Sequence, residues 1–266
     1  MIGQDALLAK LRLYTINTFP RSVMLIGEKG CGKHMVTDII KSEILKPLPL
    51  IDITTLISDE YLDEIYRNPN PSIYLIDLSA ITEKSQNTIL KFVEEPSNNA
   101  FIILLAEHRN LVLNTVLNRC IIFEFEQYTK AQLMQFTENH PNSDIITDIL
   151  RTPGKLLYTN FDSFAEALEL ADKIIKKINI ASYPNTLSIA SKVNYKDEYD
   201  KINVETMFDL LCFTMLSEYK RTHDINILKM YQLTAEHRKS LLDKRLNKQL
   251  HFENYLSKLW QLSRGI

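Results

Sequence analysis

Glycine and cysteine are both scarce in this sequence of 266 residues, which contains six glycines and three cysteines. The cysteines, Cys31, Cys120 and Cys212, are too widely separated along the chain to suggest a disulfide framework or a paired metal-binding motif. Such sparse cysteine usage agrees with a reducing compartment. Four of the six glycines fall within the first 32 residues, so glycine-dependent chemistry is expected near the start of the chain.

The sequence also lacks a charge excess and a long apolar run. Its 31 lysines and arginines oppose 33 aspartates and glutamates, giving a net charge of −2, so any contact with nucleic acid has to be local. No apolar segment reaches membrane-spanning length. The N-terminal segment MIGQDALLAKLRLY does not have the basic and then apolar layout of a signal peptide. We therefore expect a cytoplasmic globular protein with no membrane partner.

The first half of the chain contains five short apolar segments that are rich in Val, Ile, Leu, Tyr and Phe. They read SVMLIG, PLIDIT, SIYLID, AFIILLA and CIIFEFE, and helix-like segments separate most of them. Near-continuous apolar strands that alternate with helices are typical of a parallel sheet covered on both faces. The pattern predicts a three-layer α/β domain with a five-stranded parallel sheet over residues 1–127.

After Tyr128 the pattern becomes almost wholly helical. Thr129 is a candidate N-cap for the first of these helices, and the helical spacing is broken at Pro153 and Gly154. We expect a small helical module over residues 128–178 and a second helical bundle over residues 179–266.

The stretch LIGEKGCGKH follows the first predicted strand and precedes a helix. Its Gly27, Gly32 and Lys33 match a phosphate-binding P-loop, G-x-x-x-x-G-K followed by Ser or Thr, and Gly30 lies inside the loop. In that motif backbone N–H groups and the lysine face the phosphates of a nucleotide. The hydroxyl that would join a magnesium shell is missing, because His34 occupies its position. A glycine-rich turn that binds no nucleotide is the alternative interpretation.

Asp77 ends the predicted strand SIYLID, where open α/β sheets place their ligands, and is the candidate Walker B aspartate. In many P-loop ATPases a carboxylate directly after this aspartate polarises the attacking water, and here that position holds Leu78. Neither His34 nor Leu78 suits its chemical task. We therefore expect binding of ATP and magnesium to be weak or absent and efficient hydrolysis to be lost.

The segment from Ser79 to Glu126 strongly resembles the AAA+ subunits of replication clamp loaders. In the sequences of that family, a helix ending in L-L-K-x-x-E-E-P is followed by a sensor strand and then by S-R-C. The corresponding residues here are Ile89-Leu90-Lys91, Glu94-Glu95-Pro96 and Asn118-Arg119-Cys120, and Gly3 and Gln4 match the G-Q box that flanks the nucleotide. Within the family the chain is most similar to delta-prime subunits of bacterial DNA polymerase III, relatives of gamma and tau.

This resemblance implies an AAA+ domain, a helical lid module and a helical collar that mediates oligomerisation. It also implies that Arg119 is an arginine finger, which enters the ATP site of a neighbouring subunit and stabilises charge on the transferred phosphate. The alternative is an arginine that caps a strand start or pairs with a surface acid. The sensor positions correspond to Glu107 and Leu157. No zinc is expected, because the zinc module of many bacterial members has no counterpart here.

The implied function is that of an ATPase-defective clamp-loader subunit in DNA replication, which donates Arg119 in trans during sliding-clamp loading. The implied partners are a gamma/tau-like ATPase, a delta-like subunit, the sliding clamp and primer-template DNA. Lys84, Ser85 or Gln86, at a predicted helix N-terminus, could approach the duplex. Two alternatives are a divergent gamma-type ATPase that hydrolyses ATP itself and a standalone P-loop regulator. The substituted P-loop and Walker B positions disfavour the former, and the ordered E-E-P and R-C motifs disfavour the latter.

Overall fold

The computed structural model describes residues 3–137, 140–195, 202–241 and 246–266. The chain forms two compact units. The first contains the residues up to 133 together with Thr152–Gly154, and the second contains residues 134–151 and 155–266. The predicted division into three parts, with boundaries at 127/128 and 178/179, stays a prediction.

The first unit is built around five parallel strands. They are β1 Ser22–Ile26, β2 Leu50–Asp52, β3 Ser72–Asp77, β4 Ala100–Ala106 and β5 Ile121–Glu124. The strands lie side by side in the order β2-β3-β4-β1-β5, and every pairing is parallel. The predicted five-stranded parallel sheet is confirmed.

Helices connect these strands, as parallel connections require. They are α2 Lys33–Ile39, α3 Asp59–Arg67, α4 Glu83–Thr88, α5 Leu90–Glu94 and α6 Asn114–Leu117, and a further helix, α1 Asp5–Leu11, precedes β1. A π-helical turn, Ile40–Ile44, continues α2. The helical segment TEKSQNTILKFVEE is divided at Ile89 into α4 and α5.

Alternate residues of the central strands enter two separate apolar layers, because successive side chains of a strand point to opposite faces of the sheet. In β4, Ile102 and Leu104 belong to the layer that contains Phe92. Phe101 and Leu105 instead belong to the layer that contains Val36 and the helix α1. The three-layer arrangement predicted from the apolar strands is therefore present.

Beyond β5 the described residues are mainly helical, as the sequence pattern predicts. The helices are α7 Lys130–Met134, α8 Ser143–Leu150, α9 Pro153–Tyr158, α10 Phe161–Lys177, α11 Tyr183–Leu187, α12 Val204–Thr222, α13 Ile225–Ser240 and α14 Lys248–Ser263. Thr129 caps α7 as predicted: its Oγ1 accepts from the Gln132 backbone N–H at 3.3 Å, and the Gln132 side chain accepts from the Thr129 N–H at 2.9 Å. These reciprocal bonds form a capping box. Within the described parts of the chain, no helix has the length and apolar character needed to cross a membrane.

The second unit has an aromatic core between α12, α13 and α14. Phe208, Phe252 and Tyr255 are fully buried, and the ring centroids of Phe208 and Tyr255 lie 4.7 Å apart. The Tyr255 hydroxyl lies 3.0 Å from Thr234 Oγ1, so this phenol is satisfied inside the core. Phe252 and Tyr255 thus stabilise the fold of the unit itself.

Candidate nucleotide site and arginine finger

The P-loop lies at the carboxyl edge of the sheet, directly after β1. Strand register places Ile26 beside Ala106 of β4 and Glu124 of β5, and places Asp77 of β3 beside Leu105 of β4. The segments that follow these strands therefore begin at one edge, where parallel sheets bind ligands. The tertiary structure brings the predicted P-loop, Asp77 and Glu107 to the same end of the sheet.

The glycines of the loop are required by its backbone. Gly30 and Gly32 have positive φ angles of 82° and 100°, a region that side chains with a Cβ rarely adopt. Gly27 has no room for a side chain, since a Cβ there would lie 2.7 Å from Cys31 Sγ. The loop thus has the backbone character that the motif predicts.

Lys33 is turned toward the loop that precedes it. Its side-chain amine donates to the carbonyl oxygens of Gly27 and, at 3.2 Å, Glu28. The residue is buried, with 8% of its surface exposed. A phosphate would have to compete with these two carbonyl oxygens for the ammonium group.

Three further residues donate hydrogen bonds to backbone carbonyl groups of the P-loop. Thr152 Oγ1 donates to the Lys29 carbonyl at 2.9 Å, and the Gly154 N–H donates to the Gly30 carbonyl at 2.8 Å. The Tyr128 hydroxyl donates to the Cys31 carbonyl at 2.7 Å. Consecutive loop carbonyls are therefore bonded by groups of the same unit. The sequence interpretation treated Pro153–Gly154 only as a helix break and missed these contacts.

The residues at the magnesium position do not form a suitable ligand set. His34 is exposed and offers an imidazole where the motif has a hydroxyl. Asp77 uses Oδ1 to accept from the Ser79 backbone N–H at 2.8 Å, and so caps the short turn that follows β3. Leu78 is 2% exposed and belongs to the core beside the sheet. In the portion of the chain that the structure describes, no group of three or more His, Cys, Asp or Glu residues could hold a metal ion.

The loop has donors that suit an anion, and it lacks the hydroxyl that the P-loop motif contributes to a magnesium shell. Backbone N–H groups at the start of α2 and the Lys33 amine are the groups that would hold a phosphate. Burial raises the pKa of the Cys31 thiol beside them, which favours its protonated form. Burial likewise raises the pKa of Cys120, next to Arg119, to about 12.

The G-Q box residues have a structural task in this chain. The Gln4 side chain is fully buried and pairs with the Glu126 backbone, donating at 2.8 Å to its carbonyl and accepting at 3.0 Å from its N–H. Gly3 has a φ of 73° and lies against the Gln132 side chain. The segment before α1 is thereby tied to the chain that leaves β5 toward Tyr128.

Arg119 follows α6 and lies against an acidic residue of its own chain. Its Nε is 2.9 Å from Glu94 Oε2, and its Nη1 donates to the Thr115 carbonyl at 2.7 Å. The Arg119 side chain is 30% exposed, and that of Glu94 is 52% exposed. Glu94 is the first glutamate of the E-E-P motif, which sequence reasoning used only as a family marker. The pairing with an acid, one of the two interpretations of Arg119, is therefore present in the free chain.

The remaining predicted residues are more dispersed. Glu107 is half-buried directly after β4, and Leu157 of α9 is 66% exposed. Lys84, Ser85 or Gln86 was expected to approach a duplex, and Gln86 is the least suited of the three. Gln86 is 3% exposed, and its amide donates to the Leu111 carbonyl and accepts from the Leu113 N–H, both at 3.0 Å. Lys84 and Ser85, which begin the same helix, stay candidates.

A parallel five-stranded sheet with a P-loop after β1 and a helical C-terminal part defines an α/β protein with a P-loop. The family described as DNA polymerase III, delta subunit matches residues 56–129. The delta-prime subunit of DNA polymerase III from Buchnera aphidicola subsp. Baizongia pistaciae is 22% identical over 60% of this chain and 47% of its own length. The gamma subunit from Buchnera aphidicola subsp. Acyrthosiphon pisum is 25% identical over 49% of this chain and 38% of its own length.

The chain is thus similar to the delta-prime and gamma subunits of DNA polymerase III, and it spans about half the length of these relatives or less. Among solved structures, the RuvB Holliday junction branch migration motor of Thermotoga maritima is 17% identical, with a TM-score of 0.47 over 79% of this chain and 69% of that chain. That structural similarity is too low to support a functional conclusion.

Proposed function

We propose that this chain is a delta-prime-type subunit of a cytoplasmic clamp loader, which hydrolyses little or no ATP itself. In this proposal it assembles with gamma/tau-like and delta-like subunits and donates Arg119 to the ATP site of a neighbouring ATPase. The complex places a sliding clamp on primer-template DNA. The similarity to delta-prime and gamma subunits supports the type of complex.

The observation that carries the proposal is the defect of the chain's own site. His34 replaces the magnesium-binding hydroxyl, and Leu78 replaces the water-polarising carboxylate and is buried. Phosphoryl transfer in P-loop enzymes depends on a positioned metal, an oriented nucleophile and positive charge at the transferred group. This chain lacks the groups that would position the metal and orient the nucleophile, but it has an arginine in the R-C motif. Such a chain is suited to assist the reaction of a neighbouring subunit.

Two features support Arg119 as the group that is donated. It lies in the connection between α6 and β5, with nearly a third of its side chain exposed. A guanidinium has five N–H donors, and the contacts to Glu94 and Thr115 involve only its Nε and Nη1. The other N–H groups of the guanidinium therefore suit a phosphate oxygen.

The test is the ATPase rate of the complex reconstituted from this chain and the clamp-loader ATPase of the same organism. Replacing Arg119 with Ala should lower kcat by about 10³-fold or more, which is the range for loss of an arginine finger. Arg109→Ala is the matched control, because Arg109 is also exposed and paired with a glutamate, Glu124. An Arg119→Ala complex that assembles and turns over ATP at the rate of the control would refute the trans role.

A gamma-type ATPase is the second candidate function. It is favoured by the retention of Lys33 and of Asp77 at the carboxyl edge of the sheet, and a gamma subunit is among the relatives. Turnover by the isolated chain that depends on Lys33 would support it over the first proposal.

A further inference from the structure

Two contacts restrain the Arg119 guanidinium, one at Nε and one at Nη1. Glu94 Oε2 lies 2.9 Å from Nε, and the Thr115 carbonyl accepts from Nη1 at 2.7 Å. Glu94 is the last residue of α5, whereas Thr115 belongs to α6, so two separate helices fix the group. Nε itself is buried and has no hydrogen-bond partner among the described residues, so the contact with Glu94 is an ion pair and not a directed hydrogen bond.

We propose that Glu94 is a positioning residue for Arg119. The inference rests on the trans role of Arg119 and adds a second residue to it. Glu94 restrains the guanidinium through the ion pair, the Thr115 carbonyl accepts from Nη1, and the exposed part of the Arg119 side chain is left for the phosphate of a neighbouring nucleotide.

Physical reasons favour this arrangement over an unsupported arginine. An exposed arginine has several rotatable bonds, and fixing it when a phosphate arrives costs conformational entropy. A carboxylate that already fixes one edge of the planar guanidinium removes part of that cost, because the fork is rigid. Reaction rates are sensitive to such positioning, since displacement of a reacting or stabilising group by about 1 Å can change the rate by up to about a hundredfold.

The chain supplies a matched control in the next residue. Glu95 is exposed and carries the same charge as Glu94, and its backbone carbonyl accepts from the Tyr66 hydroxyl at 3.1 Å. Glu95→Ala removes one negative charge from the same motif and leaves this backbone contact in place. Any effect of net charge or of local helix stability is shared by the two alanine variants, whereas loss of the Arg119 contact is specific to Glu94→Ala.

The first measurement uses the isolated full chain and does not depend on the proposed function. Exchange of the Arg119 Nε proton with water, followed by NMR on arginine-labelled protein, should accelerate about two- to fivefold in Glu94→Ala, because the buried Nε loses the carboxylate that lies 2.9 Å from it. The same proton should be unchanged in Glu95→Ala. Equal exchange rates in the two variants would show that Glu94 does not hold Arg119 and would overturn the inference.

The second measurement is a double-mutant cycle in the reconstituted complex with ATP. Glu94→Ala should lower kcat about tenfold with KM unchanged, and Glu94→Gln should give an intermediate kcat, because glutamine keeps the size of the side chain but loses the charge of the ion pair. In an Arg119→Ala background, Glu94→Ala should have no further effect. An additional loss in that background would overturn the positioning role.

The outcomes separate the two proposals. If Arg119→Ala lowers kcat but Glu94→Ala behaves like Glu95→Ala, the trans finger stands and the role of Glu94 fails. If Arg119→Ala leaves kcat unchanged, the trans finger itself fails, and accelerated proton exchange in Glu94→Ala then identifies the pair as a contact within the chain only.

Discussion

Gly154 and Gly30 are in backbone contact although they are far apart in the sequence. The neighbouring bonded pair, Thr152 and Lys29, is separated by 123 positions. The Gly154 N–H donates to the Gly30 carbonyl at 2.8 Å, and a Cβ on Gly154 would lie 2.7 Å from Gly30 Cα. Only glycine fits at position 154, because the opposing atoms belong to the backbone and cannot rotate away. Through this contact the residues Thr152–Gly154 become part of the unit that contains the P-loop.

Gly154→Ala should destabilise the chain by about 1–3 kcal/mol, the range for overpacking that forces the backbone to shift. The urea midpoint of unfolding measures the effect. Gly265→Ala is the control, since a Cβ there would contact nothing within 4 Å, although its φ of 71° carries its own cost. Equal loss of stability in both variants would mean that the effect comes from glycine's backbone freedom and not from contact with Gly30.

Introducing a carboxylate at position 78, directly after the candidate Walker B aspartate Asp77, should destabilise this chain. Leu78 is 2% exposed within the core that contains Ile76 and Phe92, so Leu78→Glu would place a carboxylate in an apolar environment. The expected cost is about 3 kcal/mol or more in free energy of unfolding. Thermal unfolding measures it, and Leu78→Met, which keeps an apolar side chain of similar volume, is the control. A stable Leu78→Glu variant would contradict the structural assignment of Leu78 as a core residue.

The isolated chain should hydrolyse ATP no faster than its Lys33→Ala variant, with or without DNA. The reason is the incomplete magnesium site together with the commitment of the Lys33 amine to the carbonyl groups of Gly27 and Glu28. Release of inorganic phosphate is the measurement. Turnover by the original chain that Lys33→Ala abolishes would favour the gamma-type alternative and refute the ATPase-defective proposal.

His237 should make stability depend on pH between about 4 and 6.5. Burial, followed by the charges of His251 and Lys258, lowers the pKa of His237 from 6.5 to about 4. The unfolded chain therefore binds more protons in this interval, and stability rises with pH. The contribution is fully present above pH 6.5 and is lost as the pH falls toward 4. It amounts to about 2–3 kcal/mol at most.

Urea unfolding of His237→Gln at several pH values between 4 and 7 tests this dependence. The variant should show a smaller change of stability with pH than the original chain. His108→Gln is the control, because His108 is exposed. An unaltered profile in His237→Gln would contradict the assignment.

Several features of the fold could be predicted because they depend on local patterns. The five apolar segments predicted the strands, since a strand buried on both faces has to be apolar at nearly every position. The P-loop glycines and Thr129 were recognisable because positive φ angles and helix capping are local requirements. The contact between Arg119 and Glu94 was not recognisable, because an ion pair between the ends of two short helices leaves no periodic signal in the sequence.

The sequence by itself determined the alternation of strands and helices, the P-loop backbone, and the loss of the chemical groups at His34 and Leu78, since residue identity alone decides these. Only the tertiary structure decided that Leu78 is a core residue, that Gln86 is buried, and which groups bond the P-loop carbonyls. It also decided that Arg119 meets the first glutamate of the E-E-P motif. Each of these depends on which distant segments come together, and packing determines that only when the whole chain is folded.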